Sequence, residues 1–492
     1  MPPQLALLLW AIFAIGVFVT EKKRRPRTSW ALWIPAIWLL IVASREPSGW
    51  FGGDSSNSSR AFNAYMSGNP FDRNIYLGLT VLGVLVLCQR KVEWAGFIKR
   101  NRVIFIFLVY CALSILWSDH PFISLKRWVK SMGQVVAILI VLTEQNPIEG
   151  LRVVMRRVAV VLAPLSVVLI KYYPHLAVKY DPWTGWREIV GVTTSKNMLG
   201  NMAMVTSIFL IGEILSVWRE RKRVPIDWRG LSVSVFVLTI LVWLFKQAQS
   251  ATAFSCTILA GIIIFGLGLP FIRRNVRVAV ACSLLFIFVC LIFEMLFGVS
   301  SKLVELMGRD PTLTGRTEVW ESLLNRDNNV LFGVGYESFW LGDRMAEMWE
   351  KHWWRPNQAH NGYIEMYIQL GVVGGLLFVG ILFSGIRNAL NLLPRHFDHA
   401  SVCFASLIVA VLYNMTEAAC RGLHTVSFLT FVCAISVPGL YHGYATTPRR
   451  VPSVPRGRFT RSRRPRRQSQ ARGRESHRNE LLPVDNAEQQ GQ

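Results

Sequence analysis

Charge is scarce in this chain. Only 17% of its 492 residues are Asp, Glu, Lys or Arg, while 52% are hydrophobic and the mean hydropathy is +0.34. Acidic residues are the scarcer half, 30 against 54 basic ones, which leaves a formal net charge of +24. Cysteine is sparse too. Of the eight, Cys88, Cys111, Cys256, Cys282, Cys290, Cys403 and Cys433 lie in or at the ends of apolar runs, and only Cys420 lies near a loop. That placement yields no disulfide framework and no Cys/His metal spacing. Also missing are a Walker loop, a nucleotide-binding glycine fingerprint, an HExxH helix and an Asp-x-Asp pair in an outer loop. These absences disfavour ATP-driven transport and metal-dependent transfer from a nucleotide sugar. No cofactor and no metal are expected. The basic excess raises nucleic acid as a partner, but Lys and Arg cluster in alternate loops, as a membrane topology requires.

What the chain has in abundance is apolar runs of about 15–22 residues, each long enough to cross about 30 Å of hydrocarbon. Their spacing predicts an all-α polytopic integral membrane protein of 12–13 helices, with spans at roughly 4–20, 29–43, 74–89, 103–117, 128–144, 155–172, 197–218, 230–245, 252–271, 278–298, 363–386, 400–418 and 424–442. The first run, Leu5 to Thr20, lacks a basic flank before it and is followed by "EKKRRPR", so it reads as a retained span. Basic loops at 21–27, 90–102, 152–157, 219–229 and 272–277 share one side with the tail beyond Thr446, placing about 35 of the 54 Lys and Arg residues there. That side is expected to be cytoplasmic, with the N-terminus outside. The expected organisation is a transmembrane domain over 1–445 and a basic, disordered tail over 446–492. The tail, with "RFTRSRRPRRQSQARGRESHR", reads either as a topology anchor or as a patch attracted to anionic lipid headgroups.

Four sizeable segments then face outward: 44–72, 118–127, 173–196 and 299–362. The last is far longer than an ordinary connection and is rich in Trp and Tyr, so an ordered, functional loop is expected. It holds "GRDPTLTGRTEVW", "FGVGYESFW" and "MWEKHWWRPNQAHNGY". Arg309 and Arg316 carry a planar fork suited to phosphate oxygens. His360, when neutral, can accept a proton from a sugar hydroxyl. Trp340, Trp349, Trp353 and Trp354 offer flat faces to sugar rings, although tryptophans near a membrane surface commonly serve as anchors. Asn361 is placed to cap the span that follows, whereas Glu365 stands one residue off a capping box and has no assigned duty. Gly371 and Gly375, one turn apart, read as sites of close helix packing.

Three further signals lie on the same side. "WSDHPFISLKR" puts Lys126 and Arg127 just outside a span, and "GVTTSKNMLGN" puts Lys196 and Asn197 at the start of one. Basic groups are disfavoured on this side, which makes them informative, although a lysine near a helix end also snorkels. "NMTEAACRG" puts Glu417 at the outer end of a span, where a carboxylate is a functional candidate.

At these residues the chain resembles the O-antigen ligase/polymerase superfamily, and within it the exopolysaccharide-production (ExoQ-type) branch. "WSDHPFISLKR", "SKNMLG", "GRDPTLTGRTEVW", "FGVGYESFW", "AHNGYIEMYIQLGVVGG" and "NMTEA" occur in family order across roughly residues 110–420. The resemblance implies a GT-C-type, metal-independent, inverting glycosyltransferase of the bacterial inner membrane, with its site facing the periplasm. Its donor would be a glycan on undecaprenyl diphosphate, and its acceptor a glycan or lipid A–core. Membrane lipids, a chain-length regulator and a flippase are the partners such a reaction implies. Carried over, His360 is the base that activates the acceptor hydroxyl, and Arg316 binds the donor diphosphate. Arg309 matches the exopolysaccharide branch. Lys196, Lys126, Arg127, Glu417 and Trp340 complete the expected substrate site. One departure stands out: where members carry a basic residue after Ser in a short outer turn, this chain reads "QSATA", with Ala251 in that place and Lys246 or Lys196 as candidate substitutes. Polymerisation of repeat units is favoured. Ligation to lipid A–core and lipid-linked glycan flipping without transfer remain the alternatives.

Overall fold

A computed structural model describes residues 1–24, 28–51, 68–180, 185–223, 225–275, 278, 280–281, 316–326 and 328–437. Arg309, the expected span 278–298 in most of its length, and the tail 446–492 lie outside the described residues. Met1–His442 form one compact unit.

The elements are α1 (Pro3–Arg24), α2 (Trp33–Val42), α3 (Pro70–Gln89), α4 (Arg102–Leu113), α5 (Pro121–Leu142), α6 (Pro147–Tyr172), a hairpin of β1 (Val178–Tyr180) and β2 (Arg187–Ile189), α7 (Lys196–Glu220), α8 (Trp228–Ala248), α9 (Ala251–Leu267), α10 (Arg316–Leu324), α11 (Gly342–Lys351), α12 (Gly362–Leu392), α13 (Phe397–Tyr413) and α14 (Thr425–Ala434). The hairpin is antiparallel, with Val178 opposite Ile189. Twelve of the thirteen expected spans fall on these helices, counting the single 3-10 turns that extend α2 and α4. Among the described residues, six helices are long and apolar enough to cross a membrane, or seven if the pair Trp94–Arg100 and Arg102–Trp117, bent by 91°, is one span, and four shorter apolar helices accompany them. The protein is an all-α polytopic membrane protein.

Helix starts follow local chemistry. Pro70, Pro121 and Pro147 open α3, α5 and α6, where a missing N–H costs nothing. Ser195 caps α7 by accepting from the Met198 amide. One expectation is corrected: residues 152–157 are not a loop, because α6 begins at Pro147 and carries all three arginines within it. Arg156 meets Glu213 at 3.3 Å and Arg157 meets Glu21 at 3.0 Å, so these charges enter the bundle as pairs.

The segments expected on one side do gather at one end of the bundle. Arg45 donates to the carbonyls of Thr193 and Gly191, Lys130 reaches Glu46 at 3.0 Å, and Arg127 reaches the Glu337 carbonyl at 2.7 Å. The long loop builds its own small core there. Val319, Leu323, Val334, Phe339, Trp340, Met348, Ala359 and Ile368 pack together beside the principal core of the helices.

At this end α12 is broken. Gly371 has φ +64° and ψ −167°, which ends the intrahelical ladder and frees carbonyls that lipid could not satisfy. Residues 330–335 supply the partners instead. Val334 N donates to Ile368 O at 3.1 Å, Gly335 N to Gln369 O at 2.9 Å, and Val372 N to Val330 O at 2.9 Å. Tyr110 adds its hydroxyl to Leu370 O at 2.8 Å. The helix-packing reading of the glycines is thereby corrected: Gly371 admits a loop backbone, and a side chain at Gly375 would meet nothing within 4 Å. Gly371→Ala should destabilise the fold by at least ~1–2 kcal/mol, since a left-handed residue with a Cβ is strained and that Cβ would strike Leu331 O. A thermal midpoint in detergent equal to wild type would show that the loop does not dock at the break.

Candidate functional site

The turn that carries His360 is pinned from below. Asn361 caps α12 as expected, its side chain accepting from the Tyr363 and Ile364 amides. Its own amide donates to Met415 O at 3.2 Å, and Gly362 N donates to Asn414 O at 2.7 Å, which ties the turn to the segment 414–417. Glu365, 1% exposed, fixes the turn from the other side. Its carboxylate accepts from Ala359 N at 2.8 Å, Trp340 Nε1 at 2.8 Å and Gln369 Nε2 at 2.6 Å, with Arg421 Nε at 4.0 Å. A carboxylate buried this deeply needs such a full set of donors. Glu365 therefore serves the architecture of the loop.

His360 itself sits at φ +49°, a conformation uncommon outside glycine and often found where a functional group must be aimed. Its Nδ1 lies 3.3 Å from Glu417 Oε2 and 3.4 Å from the side-chain nitrogen of Gln358. A carboxylate only accepts, so the Glu417 contact selects the tautomer with the proton on Nδ1 and leaves Nε2 as the basic atom. Trp354 leans over the ring, centroids 5.9 Å apart.

Glu417 is the hub. Besides His360 it receives Arg316 at 3.4 Å and Asn197 Nδ2 at 3.1 Å, both on Oε1. Burial by itself would raise this carboxyl, but the hydrogen bond and charge of His360 and the charges of Arg316 and His424 outweigh it and hold it below the usual carboxylate value. Arg316 also donates to Thr416 O. Two of its five N–H groups are thus engaged among the described residues, and its side chain is 20% exposed.

Four expected residues end elsewhere. Trp340 is 1% exposed and its indole N–H is taken by Glu365, so it presents no face to a sugar. Lys196 pairs with Glu188 at 2.7 Å, and its neighbour Asn197 takes the place at Glu417. Lys126 stacks on the Phe122 ring at 4.3 Å, outside the His360 group. Arg127 belongs to a second buried group: Glu337 faces Arg421 at 3.1 Å and Arg127 at 3.9 Å. Burial raises the Glu337 carboxyl, and the charges of Arg421 and Arg127 bring it below the usual value. Asn197, Glu337 and Arg421 were missed as site residues, although "SKN", "GYESFW" and "ACRG" held them; a charged or amide group within an already suspect segment was the available signal.

The turn that departs from the family pattern reaches the site as well. Gln249, at φ +49°, ends α8, Ser250 lies against Gly200, and the Thr416 hydroxyl is 3.4 Å from that of Thr252. Ala251 is exposed there, and among the described residues neither Lys196, which pairs with Glu188, nor Lys246 forms an ion pair with the His360 group. Trp340→Phe should destabilise the loop by ~1–3 kcal/mol, because it removes a donor from a buried carboxylate. Thermal unfolding in detergent tests it, and an unchanged midpoint would mean that the Glu365 contact adds nothing.

Fold and site together define an all-α polytopic membrane protein with a histidine–carboxylate–arginine group at the loop-bearing end of its bundle. Residues 234–379 match the family described as O-antigen ligase. The curated "Exopolysaccharide production protein ExoQ" of Rhizobium meliloti (strain 1021) is 27% identical over 307 residues, 58% of this chain and 65% of that protein. The match thus spans slightly less than two thirds of the relative's length. The chain is similar to both and resembles the exopolysaccharide-production branch of that family. The family match contains Arg316 and His360, whereas Glu417, which meets both, and Asn197, which donates to Glu417, lie outside it.

Proposed function

We propose that this protein is an integral-membrane glycosyltransferase that moves a glycan from a polyprenyl diphosphate carrier onto a sugar hydroxyl, extending a polysaccharide by its repeat unit. The observation that carries the reading is the convergence of His360, Glu417 and Arg316 at one end of the bundle. His360 Nε2 takes the proton of the acceptor hydroxyl as its oxygen attacks the anomeric carbon. The bond from that carbon to the diphosphate oxygen breaks on the opposite face, and the diphosphate departs on its lipid. Glu417 holds Nδ1–H and stabilises the imidazolium that forms, the role an orienting carboxylate plays beside a general base. Arg316 offers its uncommitted N–H groups to the diphosphate, so positioning and charge neutralisation drive the departure without a metal in the scheme. The site belongs on the periplasmic face of the inner membrane, because the basic loops lie at the other ends of the helices.

A broken span is also a transporter feature. Here the freed carbonyls of α12 are taken by loop amides and the Tyr110 hydroxyl, which favours a scaffold for the loop over an ion or substrate gate.

Purified protein in detergent, given lipid-linked repeat units without any gradient, is expected to produce a ladder of longer chains. Adding lipid A–core tests the ligase alternative, whose product would be a single shifted glycolipid. No product from either acceptor would overturn the transferase reading.

A further inference from the structure

A second recess lies beside the His360 group. It is a cleft of about 830 Å³ walled by the Asp119–His120 turn, the end of α10 and the whole of α11. Neither His360 nor Glu417 lines it. Its charged lining is balanced: Asp119, Asp343 and Glu347 face Arg326, Arg344 and Lys351. Arg344 meets Asp119 and Arg326 meets Glu347, each at 2.6 Å, so donors and acceptors alternate around the walls.

Two paths lead from the cleft to the reacting groups. Along α10, Ser322 and Asn325 follow Arg316 by six and nine residues, or ~9–14 Å at the rise of a helix. Along the chain, α11 ends at Lys351 and the next nine residues run to His360. His352 Nε2 is 3.2 Å from Ser322 Oγ, which joins the two paths at the rim. Between Lys351 and His360 stand Trp353, 66% exposed, and Trp354, which leans on the His360 ring.

We propose that this cleft binds a hydroxyl-rich, uncharged segment of the acceptor glycan behind the sugar that reacts at His360; the inference rests on the transferase reading above. Sugar hydroxyls donate and accept at once, so paired carboxylates and cations suit them. A polyanion or polycation would meet as many like charges as opposite ones. The acceptor is favoured over the donor glycan because the segment bounding the cleft ends at the base, and the base meets the acceptor hydroxyl. Trp353 and Trp354 would stack the sugars that bridge the two places.

The test uses full-length protein in detergent and neutral oligosaccharide fragments, of one to several repeat units, cut from the host strain's own surface polysaccharide. Calorimetry should show affinity rising with fragment length. Asn325→Ala and Lys351→Ala remove side chains that form no ion pair among the described residues. Combined, they should weaken the longest fragment about 10-fold, ~1.4 kcal/mol, with the thermal midpoint kept. Wild-type affinity for the longest fragment in the double variant would overturn the proposal, as would a loss confined to the lipid-linked donor. His360→Ala separates this inference from the function: it should lower transfer by about 10²–10⁴-fold and leave fragment binding intact. Transfer by His360→Ala within a few-fold of the wild-type rate would defeat the proposed reaction without touching the cleft.

Discussion

His360→Ala is expected to lower the rate of glycan transfer by about 10²–10⁴-fold, the usual contribution of a general base. The loss should fall on turnover rather than on donor affinity, because the ring is placed to handle a proton and not to hold phosphate. Its Nδ1 lies 3.3 Å from Glu417 Oε2, so the proposed reaction assigns the acceptor hydroxyl to Nε2. His360→Gln is the stricter control. It keeps a polar side chain that can reach Glu417 but has no basic nitrogen, so it should be as inactive as alanine. The turn does not depend on the imidazole for its fold, since Asn361 and Glu365 anchor it through the backbone on either side. A variant that folds like wild type and transfers within a few-fold of its rate would remove His360 from the chemistry.

Arg316→Lys is the second large effect expected. The substitution preserves the charge and discards the planar fork, so it separates electrostatic attraction from bidentate recognition. Among the described residues Arg316 bridges Thr416 O and Glu417 Oε1 with two of its five N–H groups, and the proposed reaction gives the others to the diphosphate. An ammonium cannot reproduce those directions at once. Removal of one donor that stabilises transition-state charge costs about 10²–10³-fold. We expect a fall of that order in transfer from lipid-linked donor, measured with purified protein, with the folded state retained. Near-normal activity would make Arg316 a partner of Glu417 only.

Much of the fold was legible because membrane spans are announced locally. A run of some twenty apolar residues needs no distant partner to be recognised, and Asn361 advertises its cap by its position before α12. The aromatic content of 299–362 pointed to an ordered loop, and its described part does pack a small core around Phe339 and Trp340. Errors arose where a neighbour in space decided the outcome. The arginines of 152–157 looked like a loop until Glu213 and Glu21, from α7 and α1, brought two of them inside the bundle. Trp340 looked like a sugar platform until Glu365 claimed its N–H.

By itself, then, the sequence determined that the chain is a bundle of membrane helices, where most of those helices begin, and which loop segments gather the polar residues. It also singled out His360, Arg316 and Glu417 individually. Only the tertiary structure decided that these three meet, across separations of 44, 57 and 101 residues along the chain. The choice between Lys196 and Asn197 shows why. Consecutive residues on a helix point about 100° apart, so which of them faces Glu417 depends on how α7 is rotated against α13, and that rotation is set by packing rather than by composition.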